Sequence, residues 1–180
     1  MIIKVLVTDV NYCDLISVFN LPASKLVGVF GLSKSNNIAI KIINIFEGVI
    51  ISKLSGLLSD NKIYLSIDSI EAKDCGSDVV ALDIKISKVN IMSVIEALYP
   101  LFDRIMADKP KTAKLGIFIS KKEDLIFNCL KNLFSELSEY ECEELLCDIV
   151  NAFDEELTEL LEKLASDNKM KITIKRLLAE

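Results

Sequence analysis

Histidine and tryptophan are both absent from the 180-residue sequence. The absence of tryptophan removes a common aromatic anchor, and the absence of histidine narrows the kinds of catalysis that the chain can perform. Without histidine, the chain lacks the side chain that most often acts as a general acid or base near neutral pH. Catalysis would then depend on carboxylates, lysines or cysteines. The best such group is Asp9, Cys13 and Asp14, but neighbouring carboxylates disfavour the reactive thiolate. We therefore expect a noncatalytic protein, with an enzyme built on these three residues as an alternative.

Patterns typical of disulfide frameworks, metal sites and membrane spans are also missing. The five cysteines are odd in number and scattered, which favours reduced thiols. Cys142 and Cys147 form the only close pair, and no histidine can complete a site, so we expect no metal and no cofactor. The long apolar stretch Ile38–Leu58 contains three charged residues, which indicates a buried helix and no membrane span. The first residues carry no basic leader, so we expect an intracellular protein, cytoplasmic or nuclear.

Basic residues are missing altogether from residues 136–162, where eleven acids occur. They are Glu136, Glu139, Glu141, Glu143, Glu144, Asp148, Asp154, Glu155, Glu156, Glu159 and Glu162. The net charge of the whole chain is −6, which argues against nucleic acid as a partner because backbone binding needs a concentrated basic surface. The acidic segment is either a solvated helical face or a docking surface for a basic protein partner.

Short apolar strands and amphipathic helices alternate along the chain, with no linker and no evident internal repeat, so one domain is expected over 1–180. Strands are expected at 2–7, 25–32, 62–70, 78–86, 113–119, 145–150 and 171–175, and helices at 14–20, 37–59, 90–106, after Ser120 and after Val150. Regular alternation favours an α/β, doubly wound, mostly parallel sheet with helices on both faces. The alternative is an α+β, ferredoxin-like core over 25–120, because that segment also reads β-α-β-β-α-β.

The segment Gly31–Asn37 lies between an expected strand and the longest expected helix, where a phosphate-binding loop would be placed. Such a loop reads G-x-x-x-x-G-K-[ST], but Asn36, Asn37 and Ile38 occupy the places of the glycine, the lysine and the hydroxyl residue. The position is that of a nucleotide site, and the working residues are missing. The residues that could still bind an anion weakly are Gly31, Ser33, Lys34, Ser35, Asn36 and Asn37. The simpler interpretation is that Ser35 or Asn36 caps the helix.

Residues 78–165 resemble the second half of a small GTPase of the Ras and Rag type. The resemblance begins with Asp78–Ile84 (DVVALDI), continues through a helix to Lys114–Leu125 (KLGIFISKKEDL) and ends with Leu145–Leu157 (LLCDIVNAFDEEL). The last segment is also similar to the catalytically inactive, centromere protein M-like members. Their guanine-reading motif is N/H-K-x-D; Lys121–Asp124 (KKED) is offset from it, and Asp124 alone matches the base-reading carboxylate. The resemblance implies a pseudo-GTPase, in which the fold serves as an interaction surface.

Our expectation is therefore a noncatalytic, pseudo-GTPase-like scaffold or subunit of a larger complex. One alternative is a regulatory domain that binds a nucleotide or another small molecule through Gly31–Asn37. Another is an active GTPase-like enzyme with unusual motifs. Thermal shift with nucleotides separates these functions, since a ligand at 100 times its dissociation constant adds about 2.7 kcal/mol of stability.

Overall fold

Four strands and six helices make up the described part of the chain, which in this computed structural model is residues 1–22, 24, 26, 35–76, 78–97 and 136–180, with backbone alone at 35 and 36. The strands are β1 (Ile2–Thr8), β2 (Ser66–Asp74), β3 (Val80–Ser87) and β4 (Thr173–Ala179). The helices are α1 (Tyr12–Phe19), α2 (Ser35–Ile45), α3 (Glu47–Asp60), α4 (described over 91–97), α5 (Glu139–Ala152) and α6 (Asp154–Asp167). Within these residues, every helix is too short or too polar to cross a membrane.

The strands form one antiparallel sheet in the order β2-β3-β1-β4, so the expected doubly wound parallel sheet is wrong. Helices do cross over between β1 and β2, and these two strands run in the same direction. They are not neighbours, however, because β3 inserts between them and pairs antiparallel with both. Alternation along the sequence reveals a crossover, but it does not reveal which strand fills the gap that the crossover spans. This insertion is the physical reason for the error.

The architecture is α+β, and the described elements follow one another as strand, helices, strand, strand, helices, strand. This order matches the ferredoxin-like alternative in class, although the elements extend from β1 to β4 rather than over 25–120. The expected strand at 145–150 lies inside α5 and is also wrong. Its apolar residues Leu145, Leu146, Ile149 and Val150 recur at helical spacing as well. The expected strands at 113–119 and, apart from Leu26, at 25–32 lie outside the described residues.

The long helix expected over 37–59 is two helices, α2 and α3, separated by a break at Phe46. The backbone of Phe46 has φ −105° and ψ 18°, and its side chain is buried in the core. The same device joins α5 to α6, where Phe153 has φ −124° and ψ 31° and is also buried. In both places the two short helices on either side of the break contact the same strand, which is β2 in the first case and β4 in the second.

The second half of the chain repeats the first, contrary to the expectation of no repeat. Residues 42–72 align without a gap with residues 149–179, and eleven of the 31 positions are identical. The shared residues are, in the first half, Ile42, Asn44, Phe46, Leu54, Leu57, Ser59, Asp60, Asn61, Lys62, Ile67 and Ala72. Both copies form the same sequence of helix, break, helix, turn and strand. Within the described residues, each half therefore follows the order β-α-α-α-β, from β1 to β2 and from β3 to β4.

The turns that follow α3 and α6 agree in detail. The side-chain amide of Asn61 donates to the Leu57 carbonyl at 2.8 Å, and the side-chain amide of Asn168 donates to the Leu164 carbonyl at 2.8 Å. The next residue in each copy adopts a left-handed backbone, with φ 60° at Lys62 and 62° at Lys169. Equal geometry from an identical Ser-Asp-Asn-Lys sequence shows that the local code for this turn is present twice.

The sheet has the matching two-fold relation. β1 and α1 correspond to β3 and α4 at a spacing of 79 residues, and the equivalent residues Lys4 and Asp83 pair with each other across the sheet. The pseudo-two-fold axis therefore passes between Lys4 and Asp83. Both edge strands have a register shift at equivalent positions, between Leu6 and Val7 in the pairing of β1 with β4 and between Ile67 and Ser69 in that of β2 with β3. Two interlocked units thus share one sheet and one core.

Side chains from the helices satisfy the outward backbone groups of both edge strands. Asn44 of α2 accepts from the Ala72 amide at 2.8 Å and donates to the Ala72 carbonyl at 3.0 Å. Asn151 of α5 makes the same two contacts with Ala179, each at 2.9 Å. Edge strands left open are templates for pairing with other chains, and these two asparagines close β2 and β4 at equivalent positions.

Candidate protein-docking surface

The anion-binding candidates are only partly described. Gly31, Ser33, Lys34 and Asp124 lie outside the described residues. Of the remaining candidates, Ser35 and Asn36 open α2, and Asn37 follows in its first turn with a half-exposed side chain. Helix α2 thus begins two residues before the predicted start at Asn37, so Ser35 and Asn36 lie within the helix, and the predicted weak anion site at this end stays a prediction.

Asp9, Cys13 and Asp14 follow β1, and their contacts are with neighbouring backbone and side-chain groups of the fold. Asp9 has a left-handed backbone with φ 60°, and its carboxylate accepts from the Thr8 hydroxyl at 3.1 Å. Cys13 is exposed at the start of α1, where Asn11 accepts its amide at 2.9 Å as the helix cap. Asp14 accepts from the Lys171 amide at 3.2 Å and so ties α1 to the segment before β4. The contacts of Asp9 and Asp14 therefore hold the fold together.

The acidic segment lies on two consecutive helices, α5 and α6, and four of its eleven carboxylates have structural partners. Glu141 accepts from the Ser138 amide at 2.8 Å and closes a capping box at the start of α5. The hydrogen bonds from the Ser138 hydroxyl and amide hold the pKa of the Glu141 carboxyl below its ordinary value. Glu139 accepts from the Lys88 amide at 3.1 Å. Glu143 accepts from the Met1 ammonium at 2.7 Å, and Glu162 accepts from the Ile174 amide of β4 at 2.6 Å.

Helix dipoles account for a second set of these acids. Asp154, Glu155 and Glu156 occupy the first turn of α6, where negative charge stabilises the unpaired amides of the helix N-terminus. Asp154 and Glu156 are half-buried, whereas Glu155 is exposed. Local structure therefore explains most of the acids, and it leaves Glu136, Glu144, Asp148 and Glu159 exposed with no such role.

Four exposed carboxylates form what we call the acidic surface: Glu144 and Asp148 of α5 and Glu155 and Glu159 of α6. Within the described residues none of the four makes an ion pair or a side-chain hydrogen bond. Glu144 and Asp148 are four residues apart, as are Glu155 and Glu159, so like charges are neighbours on each helix. Such pairs weaken an isolated helix, although Glu155 also stabilises the N-terminus of α6 and Glu159 lies one turn before the exposed Lys163.

The sequence identified the acidic segment, but it did not show which of its acids have partners within the fold and which are exposed. Spacing alone does not separate Glu141 and Glu162, whose partners are backbone amides of Ser138 and β4, from Glu144 and Glu159, which face solvent. A Ser-x-x-Glu capping pattern at Ser138 was the one readable signal for Glu141. The contact of Glu162 depends on β4 returning beside α6, which only the fold reveals.

Comparisons with protein-family models, with curated proteins and with solved structures find no match for this chain.

Proposed function

We propose that this chain is a noncatalytic protein-interaction domain, a scaffold or a subunit of a larger complex, that binds a basic partner protein through the acidic surface. The observation that carries the proposal is the set of four exposed, unpaired carboxylates on α5 and α6 within the described residues. A basic partner would convert the repulsion between neighbouring carboxylates into attraction. It would also be steered toward the surface at long range, so the rate of association should fall as salt is added.

The doubly wound sheet implied by the GTPase resemblance is not the sheet observed, so the proposal keeps only the interaction role. Nucleotide binding at Gly31–Asn37, and hydrolysis by a GTPase-like site, stay alternatives. An unchanged melting temperature with GTP or ATP and magnesium would argue against both, whereas hydrolysis above background would overturn the noncatalytic proposal.

An intracellular setting fits the thiols of the described residues. Cys13, Cys75, Cys142 and Cys147 are all free, as expected in a reducing compartment. Burial raises the pKa of the Cys142 and Cys147 thiols, which disfavours their reactive thiolate forms. We therefore place the proposed interaction inside the cell and assign no redox chemistry to these two residues.

The test compares two variants that lose the same amount of charge. Asp148→Asn/Glu159→Gln removes two carboxylates from the acidic surface, and Asp60→Asn/Asp167→Asn removes two exposed carboxylates from the C-terminal ends of α3 and α6. Tagged full-length chains are purified from the native cell, and their partners are quantified by mass spectrometry. We expect the first variant to lose its basic partners and the second to retain them. Equal recovery of the same partners by both variants would contradict the proposal.

A further inference from the structure

The outward face of α3 differs from that of an ordinary surface helix. Ser59 and Asp60 are exposed at the end of the helix, and between residues 48 and 57 the exposed residues follow one another in pairs, every four positions, and carry a single charge. They are Gly48, Val49, Ser52, Lys53, Gly56 and Leu57, which together we call the α3 outer face. A solvated helix face is normally covered by charged and long polar side chains, so this composition needs an explanation.

Two glycines in this face have no explanation within the fold. A methyl group added at Gly48 or at Gly56 would meet nothing within 4 Å. Glycine inside a helix destabilises it by about 0.5–1 kcal/mol relative to alanine, so these positions weaken α3 without relieving any crowding. Glycine does permit one thing that alanine hinders, which is the close approach of another backbone.

Apolar side chains next to these glycines are left in solvent. Ile45, at the end of α2, is 51% exposed, Val49 is 40% exposed and Leu57 is 46% exposed. Between residues 41 and 57 the exposed charged residues are both lysines, Lys41 and Lys53. Lys53 donates to the Val18 carbonyl at 3.4 Å, a neutral partner that leaves its positive charge uncompensated. The α3 outer face is therefore smooth and largely apolar, with a positive charge at Lys53 and the exposed carboxylate of Asp60 one turn beyond Gly56.

The equivalent face of the second unit has the opposite character. Gly48, Ser52 and Lys41 correspond to Glu155, Glu159 and Asp148, at the spacing that relates the two units. On the other side of α6, Leu161 and Leu164 are 38% and 47% exposed, and the exposed Lys163, the equivalent of Gly56, follows Glu159 by one turn. The two units thus share their turns, breaks and edge contacts, and differ in charge and bulk on their outer helices.

These two faces lie at opposite edges of one molecule. Asn44 and Glu47 fix α2 and α3 against the edge strand β2, the latter by accepting from the Ile70 amide at 2.9 Å. Asn151 and Glu162 fix α5 and α6 against the other edge strand, β4. Contact between the two faces is therefore possible between copies of the chain.

We propose that the α3 outer face of one copy binds the acidic surface of a second copy. This inference rests on the proposed function, because it names a second copy as the basic partner. The side chains of the acidic surface would pack over Gly48 and Gly56, and Lys53 would lie against Glu155 and Glu159. A contact between unlike faces at opposite edges produces rows of copies rather than a closed dimer.

Exchange of charges provides the test. The full-length chain at low salt should sediment above its monomer mass of 20.1 kDa, and added salt should return it to the monomer. K53E and E159K should each weaken self-association at least about tenfold, since each places like charges in contact. An equimolar mixture of K53E with E159K should restore it, because every contact in the alternating row then joins opposite charges. Urea midpoints close to wild type show that both variants stay folded.

A second variant tests the close approach. Gly48→Leu/Gly56→Leu fills the open space over α3 and strengthens the helix, so a purely structural role for these positions predicts unchanged or greater association. The docking proposal predicts a loss of at least about tenfold. A wild-type chain that is monomeric at about 0.1 mM and low salt, or association that ignores all these variants, would overturn the inference. If the chain is monomeric while Asp148→Asn/Glu159→Gln still loses basic partners in the cell, the proposed function stands without this inference.

Discussion

Truncation of the two edge-strand asparagines should destabilise the fold by similar amounts. Each of Asn44 and Asn151 makes two hydrogen bonds with one residue of an edge strand, at distances between 2.8 and 3.0 Å. Ala72 and Ala179 are buried, so their backbone groups have poor access to water once the amide is removed. An unsatisfied buried group costs about 1–3 kcal/mol. The contacts here are partly buried, so about 1–2 kcal/mol for each of the two groups gives about 2–4 kcal/mol for Asn44→Ala and for Asn151→Ala.

Urea unfolding followed by circular dichroism measures both variants. With a slope of about 2 kcal/mol per molar urea, the midpoint should fall by about 1–2 M in each case. Asn61→Ala and Asn168→Ala are the matched controls, because each loses one exposed hydrogen bond to a helix carbonyl and should cost less than about 1 kcal/mol. If Asn44→Ala and Asn151→Ala cost no more than these controls, the asparagines do not hold the edges. If only one of the two substitutions lowers the urea midpoint by this amount, the two units share the geometry of this contact but the contact stabilises them unequally.

Three further outcomes follow from the described contacts. Phe46→Ala and Phe153→Ala, at the buried helix breaks, should each lower the unfolding free energy by about 3–5 kcal/mol in urea titrations, and a loss below 1 kcal/mol would show that the breaks do not depend on these rings. Gly48→Ala and Gly56→Ala should each raise the unfolding free energy by about 0.5–1 kcal/mol, and with it the melting temperature, because the added methyl group meets open space. A lower melting temperature in either variant would contradict this interpretation of α3. Because the pKa of Glu141 is lowered in the folded state, its contribution to stability is present above the unfolded pKa and is lost as pH falls through the folded pKa. The difference in urea midpoint between wild type and Glu141→Gln should therefore be present at neutral pH and vanish in acid. A difference that does not depend on pH would refute the assignment.

Sequence patterns located individual elements better than they located the relations between elements. The expected first strand at 2–7 is confirmed as β1, and the expected edge strand at 171–175 overlaps β4. The strand expected at 62–70 begins four residues late, at Ser66, because the Ile63 amide still bonds the Leu58 carbonyl and closes α3. Apolar content at Ile63 and Leu65 suggested a strand, but local hydrogen bonding places these residues in the turn.

The internal repeat was the largest omission, and its cause is physical. Identity between the units is concentrated at positions with special backbone or edge roles, such as Asn44, Phe46 and Lys62, while core positions exchange among Ile, Leu and Val. The spacing between units is 79 residues for β1 and α1 and 107 for α2 to β2, so the match is interrupted. A periodicity search weights hydrophobic residues equally along the chain and passes over such sparse signals. Only the shared geometry made the equivalence visible.

The candidate surface was predictable in composition and not in detail. Charge counting identified residues 136–162, but it treated Glu139, which accepts from the Lys88 amide, like Glu144, which is exposed. The α3 outer face was not predicted, because the apolar stretch Ile38–Leu58 was interpreted as a buried helix. The structure shows that Gly48 and Gly56 are exposed and that the space around each of them is empty, which no pattern in the sequence indicates.

Zero-length crosslinking tests the proposed docking role most directly. A carbodiimide joins a carboxylate to a lysine amine only where the two are in contact, and mass spectrometry of the crosslinked peptides identifies both residues. In native extract, the account predicts that intermolecular links arise from Glu144, Asp148, Glu155 and Glu159, with Lys53 of a second copy among the amines. Intermolecular links that arise instead from exposed acids elsewhere, such as Asp60 or Glu71, with none from the acidic surface, would contradict it.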